Sequence, residues 1–199
     1  MAKLALNKSV LNRQKKQLQT YERFLPALEL KQQQLMAEKK KAEVDFQAMQ
    51  RERQTLRVEV GNHLPMLGCS DIHLSGMVTV KNVDLGEEHV VGIKLPSLEE
   101  VKLDVVEYGF LSKPHWVDVC IDLLKRAVML DIKLQIQQQR VELLEKATRS
   151  ATQRVNLFSK ILIPETHQTI RKIQVFVSDM ETAAVVRSKM TKQKAMEHK

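Results

Sequence analysis

His63, Cys69 and His73 are the one place in this 199-residue sequence where metal-ligating side chain types gather. Their spacing matches no zinc pattern and no fourth ligand accompanies them, so loop residues rather than a metal centre are expected. Glu99 and Glu100 are an adjacent acidic pair of the kind acid–base work would need. Adjacent residues of a strand point to opposite faces, which separates them. The phosphate-binding GxxxxGK, the dinucleotide GxGxxG, the zinc-protease HExxH and the GxSxG elbow are all absent. No catalytic residue, metal or cofactor is expected. Cys69 and Cys120 are too few and too far apart for a disulfide scaffold, and are read as reduced thiols without a task.

What the side chains offer instead is charge. The net charge of +8 is uneven: Met1 to Val60 carries 13 Lys/Arg against 7 Asp/Glu, Gly61 to Pro114 carries 4 against 8, and His115 to Lys199 carries 15 against 9. Lys3, Lys8, Arg13, Lys15 and Lys16 precede the first acid, Glu22, and Arg187, Lys189, Lys192, Lys194 and Lys199 crowd the other end. If the two ends come together they form one basic tip, suited to acidic protein loops, nucleic acid or an anionic lipid surface. Neither tip segment, up to Thr20 or beyond Met180, holds an aromatic on which a base could stack.

The elements that bring the ends together are read from glycine and from a seven-residue repeat. All six glycines fall between Gly61 and Gly109, leaving two long glycine-free arms. In the first arm Leu4, Leu11, Leu18 and Leu25 form one seam, rejoined by Phe46 and Val60. Tyr21, Leu28, Leu35, Ala42, Met49 and Leu56 form the other. In the second arm the seams are Ala127, Leu134, Val141, Val155 and Leu162, and Trp116, Leu123, Leu130, Leu144, Ala151 and Phe158. Apolar residues in 3,4 alternation keep one stripe facing a partner helix. The expected fold is mainly α, a long antiparallel two-helix coiled coil with a small central β-hairpin knob. Residues 1–60 form the first helix, 61–114 the knob and 115–199 the second helix of one elongated unit. A 60-residue helix spans ~90 Å. The second arm is about 25 residues longer, which predicts an overhang of ~35 to 40 Å carrying Ile170, Ile173, Val177, Met180 and Ala184 as an unpaired stripe. Such a surface needs a sleeve.

Within the knob, Met77 to Leu85 and His89 to Leu95 read as strands turning at Gly86-Glu87-Glu88. Pro96 is expected to stop the second strand, with Leu98 to Tyr108 a further strand or irregular. A hairpin is marginal alone and should pack on the coiled coil or a partner. Lys113-Pro114 places the second helix start near His115. Pro164 is expected to kink the second arm, and Pro26 to kink or break the first. Arg154 and Asn156 flank Val155 on the seam and should point sideways. No stretch approaches 18 uninterrupted apolar residues, and Met1 to Val10 lacks the features of a signal peptide, so a soluble cytoplasmic chain is expected.

Thr152-Gln-Arg-Val-Asn-Leu157 followed by Ile161-Leu-Ile-Pro-Glu-Thr-His-Gln-Thr-Ile-Arg-Lys-Ile173 resembles the "T-x-R-V-N-A-L-E … IP … TI-x-x-I" signature of the D subunit of the V-type and archaeal-type ATPases. Val91-Gly-Ile-Lys-Leu-Pro96 is similar to that family's "A-G-V-x-L-P", Lys3 to Leu35 to its leucine-rich opening helix, and Arg187 to Lys194 to its lysine-rich close. The chain departs from the pattern at Leu30-Lys-Gln-Gln-Gln-Leu35, at Leu157-Phe158-Ser159 and at Glu181-Thr-Ala-Ala-Val-Val186.

The resemblance implies a non-catalytic central rotor shaft of a V/A-type ATPase or ATP synthase. It would pass torque between the A/B hexamer and the membrane ring that moves protons or sodium ions. The implied partners are subunits A and B at the hexamer bore, the F subunit on the stalk and the C subunit as a socket above the ring, with no nucleic acid and no direct membrane insertion. The implied location is peripheral to the membrane on its cytoplasmic side. Lys3, Lys8, Arg13, Lys15, Lys16, Arg154, Asn156, Arg171, Lys172, Arg187 and Lys189 are then the candidates for contact with the hexamer. The competing reading is a basic coiled-coil adaptor that binds nucleic acid or an anionic membrane surface, which salt would weaken steeply.

Overall fold

The computed structural model describes residues 6–65, 76–106, 114 and 116–197. Lys3, Leu4, Cys69, His73 and His115 lie outside the described residues. The fold is mainly α with one two-stranded antiparallel sheet. Helix α1 spans Lys8–His63, strands β1 and β2 span Val78–Val90 and Ile93–Val105, and α2 spans Trp116–Leu157. A single π-helical turn, Phe158–Leu162, leads into α3, Ile163–Glu197. The chain divides into a terminal unit, Met1–Gln32 with Ser150–Lys199, and a middle unit, Gln33–Arg149.

Helix α1 starts where Asn7 accepts the amide of Val10 on its Oδ1 at 2.8 Å, a side-chain cap on an otherwise orphaned donor. It is rich in Leu, Lys, Gln and Glu, good helix formers, and it runs through Pro26 without a break.

In the middle unit, α1 and α2 pack through 3,4-spaced apolar residues. Leu35, Ala42, Leu123, Leu130, Leu134 and Leu144 are buried. Near the end of α1, Leu64, Cys120 and Leu123 form a core with Leu56, Val60 and Trp116 around it. Burial pushes the Cys120 thiol above its usual pKa, which keeps it neutral. Gln137 interrupts the apolar seam, and its Nε2 donates to the Ala42 carbonyl at 3.0 Å, so the polar group is satisfied.

The hairpin turns later than the sequence suggests. Val90 pairs with Ile93, so the turn is Val91-Gly92, and Glu87 lies in β1 opposite Pro96. Both turn residues have positive φ, 51° at Val91 and 77° at Gly92, which a two-residue hairpin needs for its twist to match the strands. Gly86 lies beside an irregularity in the pairing, between Asp84 and Leu85. An added Cβ there would run into the Glu99 and Ser97 side chains. Pro96 does not stop β2, because in a two-stranded sheet each strand has an open edge where a missing N–H is tolerated. Leu98 to Val105 is therefore more of the same strand. Lys94 Nζ sits 2.7 Å from Glu87 Oε2 and holds that carboxyl below its usual pKa, first by the hydrogen bond and then by its charge.

Val91 is β-branched and strained at positive φ. Val91→Gly should therefore stabilise the hairpin by roughly 1 kcal/mol. Slower hydrogen exchange at the Val90 and Ile93 amides is the expected observation, and faster exchange would show that the Val91 side chain contributes more than its backbone costs.

The hairpin docks on α2 by a stripe outside the heptad seams. Val117 and Ile121 bury with Met77, and Val78, Val105 and Trp116 complete the cluster. Farther along, Arg140 Nη1 donates to the Pro96 carbonyl at 3.2 Å and Nη2 to Glu88 Oε2 at 2.7 Å. Buried Ile136 is one turn earlier on the same side, and Leu95 is 1% exposed.

In the terminal unit, Leu11, Ile170 and Ile173 form the core, with Val10, Leu18 and Val177 against it. The Tyr21 and Phe158 rings meet edge to face at 5.4 Å. Gln32 Nε2 donates to Thr152 Oγ1 at 2.9 Å. Two expectations are corrected here. Ile170 and Ile173 are not unpaired, since α1 covers them, and Lys8 reaches Glu181 at 3.6 Å. The stretch beyond that pair, 182–197, is about 24 Å of helix rather than the longer overhang. In addition, continuing the 3,4 alternation from Phe158 and Leu162 selects Glu165 and Thr169, yet Thr166, Ile170 and Ile173 are buried. The seam slips by one residue. A π turn holds one residue more than an α turn, and Phe158–Leu162, closed by the Ile163 N–H on the Phe158 carbonyl, absorbs the slip.

Candidate functional site

The terminal unit concentrates the positive charge. Its sequence holds sixteen Lys/Arg against six Asp/Glu, while the middle unit holds sixteen against eighteen. A balance of +10 against −2 means that the chain's entire excess of charge belongs to one unit, which sets the sign of any partner it attracts.

Each candidate contact residue can now be placed. Arg13, Lys15 and Lys16 lie exposed on α1, Arg154 exposed in the last turn of α2, and Arg171, Lys172, Arg187 and Lys189 exposed on α3. None of these eight has a carboxylate within ion-pair distance among the described residues. Asn156 is half-buried beside Val155. Lys8 is engaged with Glu181, though both side chains stay open to solvent, and Lys3 is outside the described residues. Arg13 and Lys16 line one shallow depression with Ser9, Asn12, Gln17, Thr20 and Tyr21. Arg171 and Lys172 line another with Gln168 and Val175, four residues that share a helix face.

Apolar side chains lie open along the same stretch of α3: Val175, Phe176, Met180, Val185, Val186 and Met190 are exposed by 40 to 57%. Water contact over this run favours burial against another surface. Cations without a carboxylate partner among the described residues, set beside exposed apolar groups, describe a surface suited to contact with another molecule. Among the described residues no three His, Cys, Asp or Glu side chains are placed to hold a metal ion. No described helix is long and apolar enough to cross a membrane.

Heptad reasoning misses Val117, Ile121, Ile136 and Arg140, although Val117 with Ile121 and Ile136 with Arg140 are pairs four residues apart, off the seams and visible in the sequence. It also misses Asn7, an Asn directly before the helical pattern and a standard cap signal.

The family model for the D subunit of ATP synthase matches residues 10–193, nearly the whole chain. The chain belongs to that family. It is 33% identical over 192 residues to the V-type ATP synthase D subunit of Borreliella burgdorferi, covering 96% of this chain and 95% of that protein. It is 31% identical over 201 residues to the V-type ATP synthase D subunit of Chlamydia muridarum, covering 100% and 98%. Over 112 residues, 56% of this chain and 55% of the other, it is 40% identical to the corresponding protein of Chlamydia trachomatis serovar A. Membership places the chain among the non-catalytic central-stalk components of V-type ATP synthase complexes. For a D subunit, long helices, an apolar packing seam and a cationic terminal unit are the features through which a stalk component can act.

Proposed function

We propose that the chain is the torque-bearing shaft of its complex, with the terminal unit seated in the bore of the A/B hexamer. The middle unit would engage the F subunit and stand on the C subunit, at the cytoplasmic side of the membrane, while protons or sodium ions move through the ring. The observation that carries this reading is the set of exposed cations on α1 and α3, Arg13, Lys15, Lys16, Arg171, Lys172, Arg187 and Lys189, that have no carboxylate partner among the described residues and lie beside exposed apolar residues. Exposed charge pairs are individually weak, so such contacts let a surface re-register at each step where a deeply interlocked one would stall.

The test is joint reversal of Arg13, Lys16, Arg171, Lys172 and Arg187 to Glu in the reconstituted complex. Exposed pairs are weak, so single reversals should change the ions moved per ATP by no more than roughly twofold, while the joint change should lower that ratio by about tenfold with ATP hydrolysis persisting. Unchanged coupling in the fivefold variant rejects the reading.

A further inference from the structure

The helices of the terminal unit each lose a backbone hydrogen bond to a proline at one level, although α1 itself stays continuous. Pro26 has no N–H, so the Glu22 carbonyl loses its helical donor, and Pro164 removes the donor for the Lys160 carbonyl. Just before Pro164 the backbone has already opened into the π turn Phe158–Leu162. Two contacts show that these weakened stretches face each other across the pair. The Tyr21 ring packs on Phe158, and Glu22 Oε1 lies 3.6 Å from His167 Nε2. Glu22, Pro26, Lys160 and Pro164 are all exposed, so water can take up the freed carbonyls.

Packing is thin here as well. On α1 no residue from Asn12 to Gln32 is fully buried, and from Ser150 to Thr169 Thr166 alone is. The seam side chains Tyr21, Leu25, Phe158 and Leu162 are half-buried, whereas Leu11, Ile170 and Ile173 close a tight core next to this level. Missing backbone bonds in both helices, coupled with few buried contacts, is the physical description of a locally weak segment. Proline and π turns are also the usual sites where a helix bends.

We propose that Glu22–Pro26 together with Phe158–Pro164 is a bending joint, a compliant segment that yields elastically when the terminal unit is loaded. This rests on the shaft reading. The tight Leu11, Ile170 and Ile173 core keeps the end beyond the joint intact while the joint flexes. A regular coiled coil over the same stretch would be stiffer, so an equal load would bend it less.

Hydrogen exchange on the full chain and single-particle rotation of the complex test the joint together. Amides at 22–30 and 159–167 should exchange at least about tenfold faster than those at 170–177. Pro26→Ala with Pro164→Ala should slow them. Deleting Lys160 in that background removes the extra residue, restores the 3,4 alternation through Thr166, Ile170 and Ile173, and should slow them further. In the complex, a bead on the shaft should show a narrower spread of angles at each dwell with the straightened variants. If 159–167 exchange as slowly as 170–177 in the native chain, or if the bead's angular spread is the same in native and straightened complexes, the joint does not exist. A native complex whose bead never turns overturns the shaft reading, and the joint with it.

Discussion

Ile173→Asp is expected to open the terminal unit. Ile173 is fully buried, and it packs in the cluster of Leu11 and Ile170, backed by Val10, Leu18 and Val177. Removing the side chain from a core site costs ~2 to 5 kcal/mol, and leaving a polar group there without a partner adds ~1 to 3 kcal/mol. The nearby cations do not help, because Arg171 and Lys172 are exposed and neither belongs to the cluster. Hydrogen exchange at Val10 to Leu18 and Ile170 to Val177 should accelerate by at least about a thousandfold, the equivalent of ~4 kcal/mol, while the middle unit keeps its protection. Ile173→Val serves as the control, since a lost methylene costs only ~0.5 to 1.5 kcal/mol. Equal exchange in Ile173→Asp and the native chain would mean that α1 does not cover α3 in this region.

The second large effect belongs to the other unit. Val117 is fully buried where the hairpin meets α2, among Met77, Ile121, Val78, Val105 and Trp116. Val117→Asp forfeits ~1.5 to 3 kcal/mol of burial and adds ~1 to 3 kcal/mol for an unpartnered polar group, about 4 kcal/mol together. A two-stranded hairpin is marginal by itself, so losing this seat should release it while α1 and α2 stay helical. Trp116 is the single tryptophan and touches both the hairpin cluster and the Leu64, Cys120 and Leu123 core. Its emission should shift to the red, hairpin amides should lose protection, and helical ellipticity should change little. Retained protection at Val78 and Val105 would show that Arg140, through Pro96 and Glu88, anchors the hairpin unaided.

Both sites show where sequence reading stops. Val117 is in plain view, but the heptad template assigns α2 one partner, and a second stripe has meaning only once a second surface packs on it. The hairpin turn is misplaced for a local reason. Gly86-Glu87-Glu88 has turn composition and Val91 does not, yet strand pairing outweighs the cost of a valine at positive φ. Ile170 and Ile173 read as uncovered when the arms are compared by length alone. How far α1 reaches along α3 depends on the register of the pair, which the π turn shifts by one residue.

By itself the sequence determined the helical character of both arms, the presence of a hairpin between them, the family, and the excess of positive charge near the two ends. These follow from local composition and from periodicity, which act over a few turns and do not need the partner to be known. Tertiary structure alone decided which α3 residues α1 covers, which side of α2 carries the hairpin, and where the seam slips. Each of these is a choice of register between surfaces distant in the chain, and it is settled by the summed burial of many side chains rather than by any one residue's preference.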